Sequence, residues 1–202
     1  MSILMNYFLL MSTYALVGAL CYCIIRGIVA KAKRKKLSWR NELPRVLFTG
    51  YCTGLASQTI FPNWEAGFDS AHKFYFHVYI PHGKPMFNLI PFQTILPQLR
   101  GENLGVDAAD VPAMMIVNLL GNIVVFMPFG ILLPWVFPKL RRTPWMLLSG
   151  FLLTCFIETT QLFIGRSFDV DDLLFNVIGV MLGYFLYCLN SKMSKKRSAE
   201  NN

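Results

Sequence analysis

Five apolar runs divide this chain: about Ile3 to Ile25, Pro44 to Phe61, Pro112 to Phe137, Trp145 to Ile164 and Leu173 to Leu189. Each approaches the ~20 residues that a helix needs to cross the hydrocarbon core of a bilayer. In that solvent every backbone N–H and C=O must be satisfied inside the protein, so runs of this length leave the α-helix as the solution. The expected fold class is all-α: a polytopic membrane helix bundle of about five transmembrane helices. The second run is the weakest, because Thr49, Gly50, Thr53, Gly54, Ser57 and Gln58 interrupt it. Composition agrees with a membrane protein. The 202 residues are 54% apolar and 15% charged, whereas a soluble domain carries ~45–50% and ~25%.

The connections set an orientation. Lys31-Ala-Lys-Arg-Lys-Lys36, Arg40 and Arg45 separate runs one and two; Lys139, Arg141 and Arg142 separate runs three and four; Lys192, Lys195, Lys196 and Arg197 follow the last. The segment 62–111 instead has Lys73, Lys84 and Arg100 against Glu65, Asp69, Glu102, Asp107 and Asp110. The fourth connection has Arg166 against Asp169, Asp171 and Asp172. Positive residues stay on the cytoplasmic side, which predicts the N-terminus out, the C-terminus in and both acidic connections outside. The expected organisation is a first helix with its basic loop (1–43), a four-helix domain (44–190) holding the extracytoplasmic segment 62–111, and a basic cytoplasmic tail (191–202). The end of that tail, Ser198 to Asn202, is expected to be disordered.

Several function classes recede. The net charge of +8 sits beside apolar runs, so it points to topology and anionic lipid rather than to nucleic acid. Cys21, Cys23, Cys52, Cys155 and Cys188 all lie in apolar runs, which suits small packing residues, not a disulfide framework or a zinc site. The first run has no basic residue ahead of it and is too long for a signal-peptide core, so it reads as a retained span. His72, His77 and His82 recur every five residues, a spacing that stacks on neither a helix face nor a strand face. No Gly-rich phosphate loop, Ser–His–Asp grouping or HExxH motif is present, and the expectation is no cofactor and no metal. The aromatic stretch 74–80 and the stretch Met86 to Leu96 suit the membrane–water interface, the second as a surface or short re-entrant element.

The exception to apolarity is Glu158, inside the fourth run. A carboxylate at bilayer depth costs roughly 2.5 kcal/mol or more, so such groups are few and usually functional. No Lys, Arg or His lies within the cores of runs three to five. Its partner would be Arg166 reaching back from the connection, a neighbouring amide, or a proton of its own. At ~1.5 Å per residue, Asn118 and Asn122 of the third run, Glu158 and Gln161 of the fourth and Asn176 of the fifth fall in one outer layer. Their i, i+4 and i, i+3 spacings put each pair on one helix face. Asn176, Gly179 and Gly183 share a face that permits close helix approach. Pro128 is expected to kink the third helix and free backbone groups. Asp169, Asp171 and Asp172 precede the fifth helix, where one or two acids serve as caps. Three beside Arg166 exceed that need and would suit a cationic group, or a divalent metal bridging to phosphate.

Asn88-Leu-Ile-Pro-Phe-Gln-Thr-Ile95, Asn118-Leu-Leu-Gly-Asn-Ile-Val-Val-Phe-Met-Pro-Phe-Gly130, Glu158-Thr-Thr-Gln161 and Arg166-Ser-Phe-Asp-Val-Asp-Asp-Leu-Leu-Phe-Asn176, in that order, resemble the VanZ-like family of bacterial membrane proteins. The resemblance covers roughly Pro44 to Leu189 and extends through Gly179 and Gly183. The first run lies outside it, and the segment from Pro62 to Pro85 is long for the family. The family is named for a protein associated with low-level resistance to teicoplanin, a lipid-tailed glycopeptide. The resemblance implies a role at the envelope of Gram-positive bacteria, in the cell membrane.

Two functions remain open. One is a binding protein whose outer polar pocket, drawn from Asn118, Asn122, Glu158, Gln161, Arg166, Asp169, Asp171, Asp172 and Asn176, holds membrane lipid or a lipid-tailed glycopeptide. The other is a membrane enzyme acting on a lipid-linked envelope precursor. There Glu158 is the acid or base, Arg166 holds phosphate, and the three aspartates position substrate or metal. A transporter is disfavoured for a monomer, because five runs show no repeat.

Overall fold

The computed structural model describes residues 3–61, 63–68, 73–79, 87–91 and 111–200. Five long helices dominate it: α1 (Ile3–Ala32), α2 (Trp39–Thr59), α3 (Val111–Val136), α4 (Thr143–Phe163) and α5 (Val170–Glu200). Phe8–Ala32, Leu119–Val136, Thr143–Phe163 and Val170–Met193 are long and apolar enough to cross a membrane. Their outward faces carry large apolar side chains such as Leu16, Leu20 and Ile24 on α1, Phe156 on α4 and Phe185 on α5. In water such a surface would aggregate; it suits a lipid environment.

Five crossings were expected, and α2 differs from the other four helices. Its 21 residues reach about 30 Å at ~1.5 Å each, but its polar residues keep it off the apolar set. The structure shows where those residues go. Gly50 and Gly54 lie against the backbone carbonyls of Ala15 and Met11 in α1. The Thr53 hydroxyl donates to carbonyl oxygens, Gly50 O at 2.8 Å among them, and the Ser57 hydroxyl donates to Gly54 O at 2.6 Å. The helix begins five residues before Pro44, earlier than the apolar run suggests. It packs against both α1 and α3, and Gly50, Gly54 and Ser57 are buried there while Thr49, Thr53 and Gln58 are half-buried.

The centre is the α3–α5 pair, with α4 packed on α5 and α2 on α3. A Cβ on Gly179 would collide with the Ile123 carbonyl, one on Gly183 with the Met127 carbonyl, and one on Gly130 with the Val180 carbonyl. These glycines let the two backbones touch, as the Asn176–Gly179–Gly183 face predicts. Phe126, Phe129, Leu133, Met146, Ile157, Val180 and Tyr184 fill the core around them. Pro128 and Pro134 both lie inside α3, which remains one continuous helix. On the turn before Pro128, the Val125 carbonyl accepts a hydrogen bond from the Tyr51 hydroxyl at 2.9 Å. Tyr51 thus ties α2 to α3 where the proline weakens the helix's own ladder.

Two small sheets join the helices. Asn63–Phe68 (β1) and Phe74–Tyr79 (β2) form an antiparallel hairpin, and Phe87–Asn88 (β3) pairs in parallel with Phe168–Asp169 (β4). The hairpin was not anticipated, although Phe74, Phe76 and Val78 alternate at the period of a strand. The stretch 86–96 is described only at Phe87–Pro91, where Phe87, Leu89 and Ile90 are exposed. His72 and His82 lie outside the described residues. The C-terminal segment corrects another expectation: α5 continues through Ser198 to Glu200, and only residues 201–202 of that stretch fall outside the description.

At the basic end, Glu42 accepts hydrogen bonds from Tyr22 Oη at 2.6 Å and Arg26 Nη2 at 2.8 Å, and pairs with Arg45 at 3.2 Å. The Arg26 and then the Tyr22 hydrogen bonds hold its carboxyl well below the usual range, at about 2 against 4.5. A depressed folded pKa means stability that is fully present above pH 4.5 and lost as pH falls toward 2. Detergent-solubilised wild type should therefore melt at a higher temperature than Glu42→Gln at neutral pH, and the gap should close across that window. A gap independent of pH would remove the ionised Glu42 from the account.

Candidate functional site: a polar cavity at one end of the bundle

At the opposite end, all five helices and the α4–α5 connection enclose a cavity of about 420 Å³. Six of the residues singled out from sequence line it: Asn122, Glu158, Gln161, Arg166, Asp172 and Asn176. Glu158, at 1% exposure, is among the most buried side chains of the protein. It sits one turn above Thr154, whose hydroxyl donates back to Gly150 O at 2.9 Å and so needs nothing further. Local rules explain the rest of the layer. The connection turns sharply at Gly165, whose φ of 78° is in the left-handed region that glycine adopts without strain. The Arg166 backbone N–H donates to Gln161 O at 2.9 Å, closing α4.

The three aspartates part company. Asp169 caps α5: its Oδ1 accepts the Asp171 backbone N–H at 2.9 Å. Its carboxylate also accepts the Asn88 side-chain amide at 3.2 Å, while its own N–H donates to Glu158 Oε2 at 3.2 Å. Asp171 is buried but does not line the cavity. Asp172 does, and its Oδ1 accepts the Asn122 amide at 2.6 Å. The expectation of one acidic cluster therefore gives way to three separate roles. The first turn of a helix rotates each successive side chain by ~100°. Among the described residues, no three His, Cys, Asp or Glu side chains are placed to hold a metal ion.

Arg166 does not pair with Glu158. Among the described residues, ion pairs form only at Glu42, and Arg166 stands exposed at the rim. The donor that Glu158 has is the backbone of Asp169, which no side-chain inventory reveals. Gln161 Nε2 donates to Thr59 O at 3.2 Å and so joins α4 to the end of α2. Asn118 lies in α3, and its side chain falls outside the described residues.

Sequence reasoning missed eight contributors. Gln58 and Thr59 of α2 and Phe8 and Met11 of α1 join the lining, and Gly121, Val125, Phe126 and Ile157 complete it. The depth argument applied to Glu158 would have found Gln58, an intramembrane amide near the same end of its run. Nothing in the pattern of α1 distinguishes Phe8 and Met11 from neighbours that face outward. Asn88 stands in the sequence only as part of a motif, yet its amide binds the aspartate that contacts Glu158.

Apolar helices with covered backbones and a buried carboxylate at one end define an integral, helical membrane protein. The chain belongs to the VanZ/LLP1 family, whose model matches residues 48–191. That span begins within α2 and ends within α5, so α1 lies outside it. No curated protein and no solved structure matches the chain.

Proposed function

We propose that this VanZ/LLP1 protein is a multi-pass protein of the bacterial cell membrane, with its N-terminus outside and its C-terminus inside. In this reading its cavity lies in the outer leaflet and binds the head of a membrane lipid or of a lipid-tailed glycopeptide such as teicoplanin. The observation that carries it is one cavity combining both chemistries of an amphiphile. Buried polar groups come from α4 and α5, with the half-buried Asn122 from α3, and an apolar wall from Phe8, Met11, Val125, Phe126 and Ile157. The basic connections at the other end support the orientation.

The test is teicoplanin and vancomycin susceptibility in a Gram-positive host carrying empty vector, wild type or Glu158→Gln, at matched membrane levels. Wild type should protect against teicoplanin and little against vancomycin, which lacks the tail. Removing a buried charge-assisted contact costs roughly 1.5–3 kcal/mol, so Glu158→Gln should lose about tenfold or more in ligand affinity and most of the protection. Equal protection against both drugs would sink the tail-dependent form of the reading.

One observation favours a second reading, an enzyme acting on a lipid-linked envelope precursor. Among the described residues Glu158 receives a single hydrogen bond, from a backbone N–H, and lines a cavity, the setting of a general acid or base. Lipid extracts decide between the two. An altered envelope precursor with wild type, absent with Glu158→Gln, supports catalysis; identical precursors in both leave binding.

A further inference from the structure

The cavity is unbalanced in its hydrogen-bonding groups. Asn176 is 3% exposed, and its Oδ1 has no hydrogen-bond partner among the described residues. On the neighbouring helix face, among the described residues, Glu158 receives one donor, and Asp172, one turn before Asn176, receives one from Asn122. An ionised carboxylate offers roughly four acceptor sites. Unfilled acceptor sites therefore remain at the buried end, and an unsatisfied one is costly. The rim is the reverse. Arg166 brings a guanidinium, which has only donors, and makes no ion pair among the described residues.

This polarity selects a ligand. Its deep end must donate hydrogen bonds and its shallow end must accept them, and a cation is the donor that two carboxylates favour most. We infer that the cavity takes a phospholipid head in which an ammonium group follows the phosphate. The phosphate meets Arg166, and the ammonium meets Asn176, Glu158 and Asp172. Phe8 and Met11 flank the first part of the acyl chain. The inference rests on the amphiphile reading of the cavity and names the head group it holds.

The test uses the full chain purified in detergent, with native mass spectrometry reading bound lipid. Phosphatidylethanolamine, phosphatidylglycerol and phosphatidic acid of identical acyl chains are offered in turn, with soluble O-phosphoethanolamine as a fourth arm. Phosphatidylethanolamine should be retained about tenfold more than the other two lipids, a difference of ~1.4 kcal/mol. Glu158→Gln and Asn176→Ala should each erase that preference, while Arg166→Gln should lower retention of all three lipids alike. The variants are compared only where they elute as wild type; Arg166, at the exposed rim, supplies one whose folding is not in question. Competition by O-phosphoethanolamine would show that the head alone is recognised, and its absence that the tail is also required; either supports the assignment. Equal retention of the three lipids, lowered by Arg166→Gln, would overturn the ammonium assignment and leave the amphiphile site. Retention of none by wild type would overturn both.

Discussion

Gly183→Leu should prevent the bundle from forming: little protein in the membrane, and no monodisperse peak after solubilisation. A single Cβ at this position already collides with the Met127 carbonyl, its carbon and its Cα. These are backbone atoms of α3, which cannot rotate aside as a side chain can. Relief requires moving α3 from α5, the central pair of the fold, and that opens the packing around Phe126, Phe129, Val180 and Tyr184. Overpacking a core costs about 1–3 kcal/mol when side chains adjust. With backbone on both sides, the upper end or beyond is expected. In a bilayer the loss is not offset by a hydrophobic drive between helices, since lipid tails are as apolar as the helix surface. Gly27 is the control: a Cβ there meets nothing within 4 Å, so Gly27→Leu should accumulate and melt as wild type does. Equal behaviour of the two variants would mean that the α3–α5 approach is not what holds the protein together.

Gly121→Phe should have the opposite profile, an intact fold with its function removed. Gly121 lines the cavity, and among the described residues a Cβ on it also meets nothing within 4 Å. A larger side chain there enters the cavity without pushing on a helix. Replacing glycine inside a helix also removes backbone entropy that glycine would lose, worth roughly 0.5–1 kcal/mol. Melting of the solubilised protein should therefore be unchanged or slightly higher, while protection against teicoplanin and retention of lipid both fall to the empty-vector or background level. This variant differs from Glu158→Gln because it removes volume and leaves every charge in place. Loss of function in Glu158→Gln with full function in Gly121→Phe would separate the carboxylate from the cavity and count against ligand binding there.

Much of this was readable along the chain. The α3 and α4 boundaries follow apolar runs that end at polar or proline-containing segments, because hydrocarbon admits helices of bilayer length and little else; α5 runs past its own apolar stretch to Glu200. The polar layer was legible for a related reason. Helix rise converts sequence position into depth, so Asn122, Glu158, Gln161 and Asn176 had to lie near one level once the helices alternated. Gly179 and Gly183 announced a close contact, since a face without side chains is of use only against another helix.

What the sequence could not supply was partnership. Depth does not say which faces point at one another, and so the three aspartates looked like one cluster until the turn at the start of α5 sent Asp169 to the cap, Asp171 into a buried position and Asp172 into the cavity. The hydrogen bond to Glu158 comes from the Asp169 backbone, and every residue has such a group, so no residue type marks it. Phe8, Met11, Gln58 and Thr59 joined the site only because α1 lies against α2 and α2 against α3. The sequence by itself determined the apolar helices and the level at which polar groups sit, since these depend on local pattern and on the thickness of the solvent. Only the tertiary structure decided which of those groups face a shared cavity, because that depends on helix rotation and contact between segments far apart in the chain.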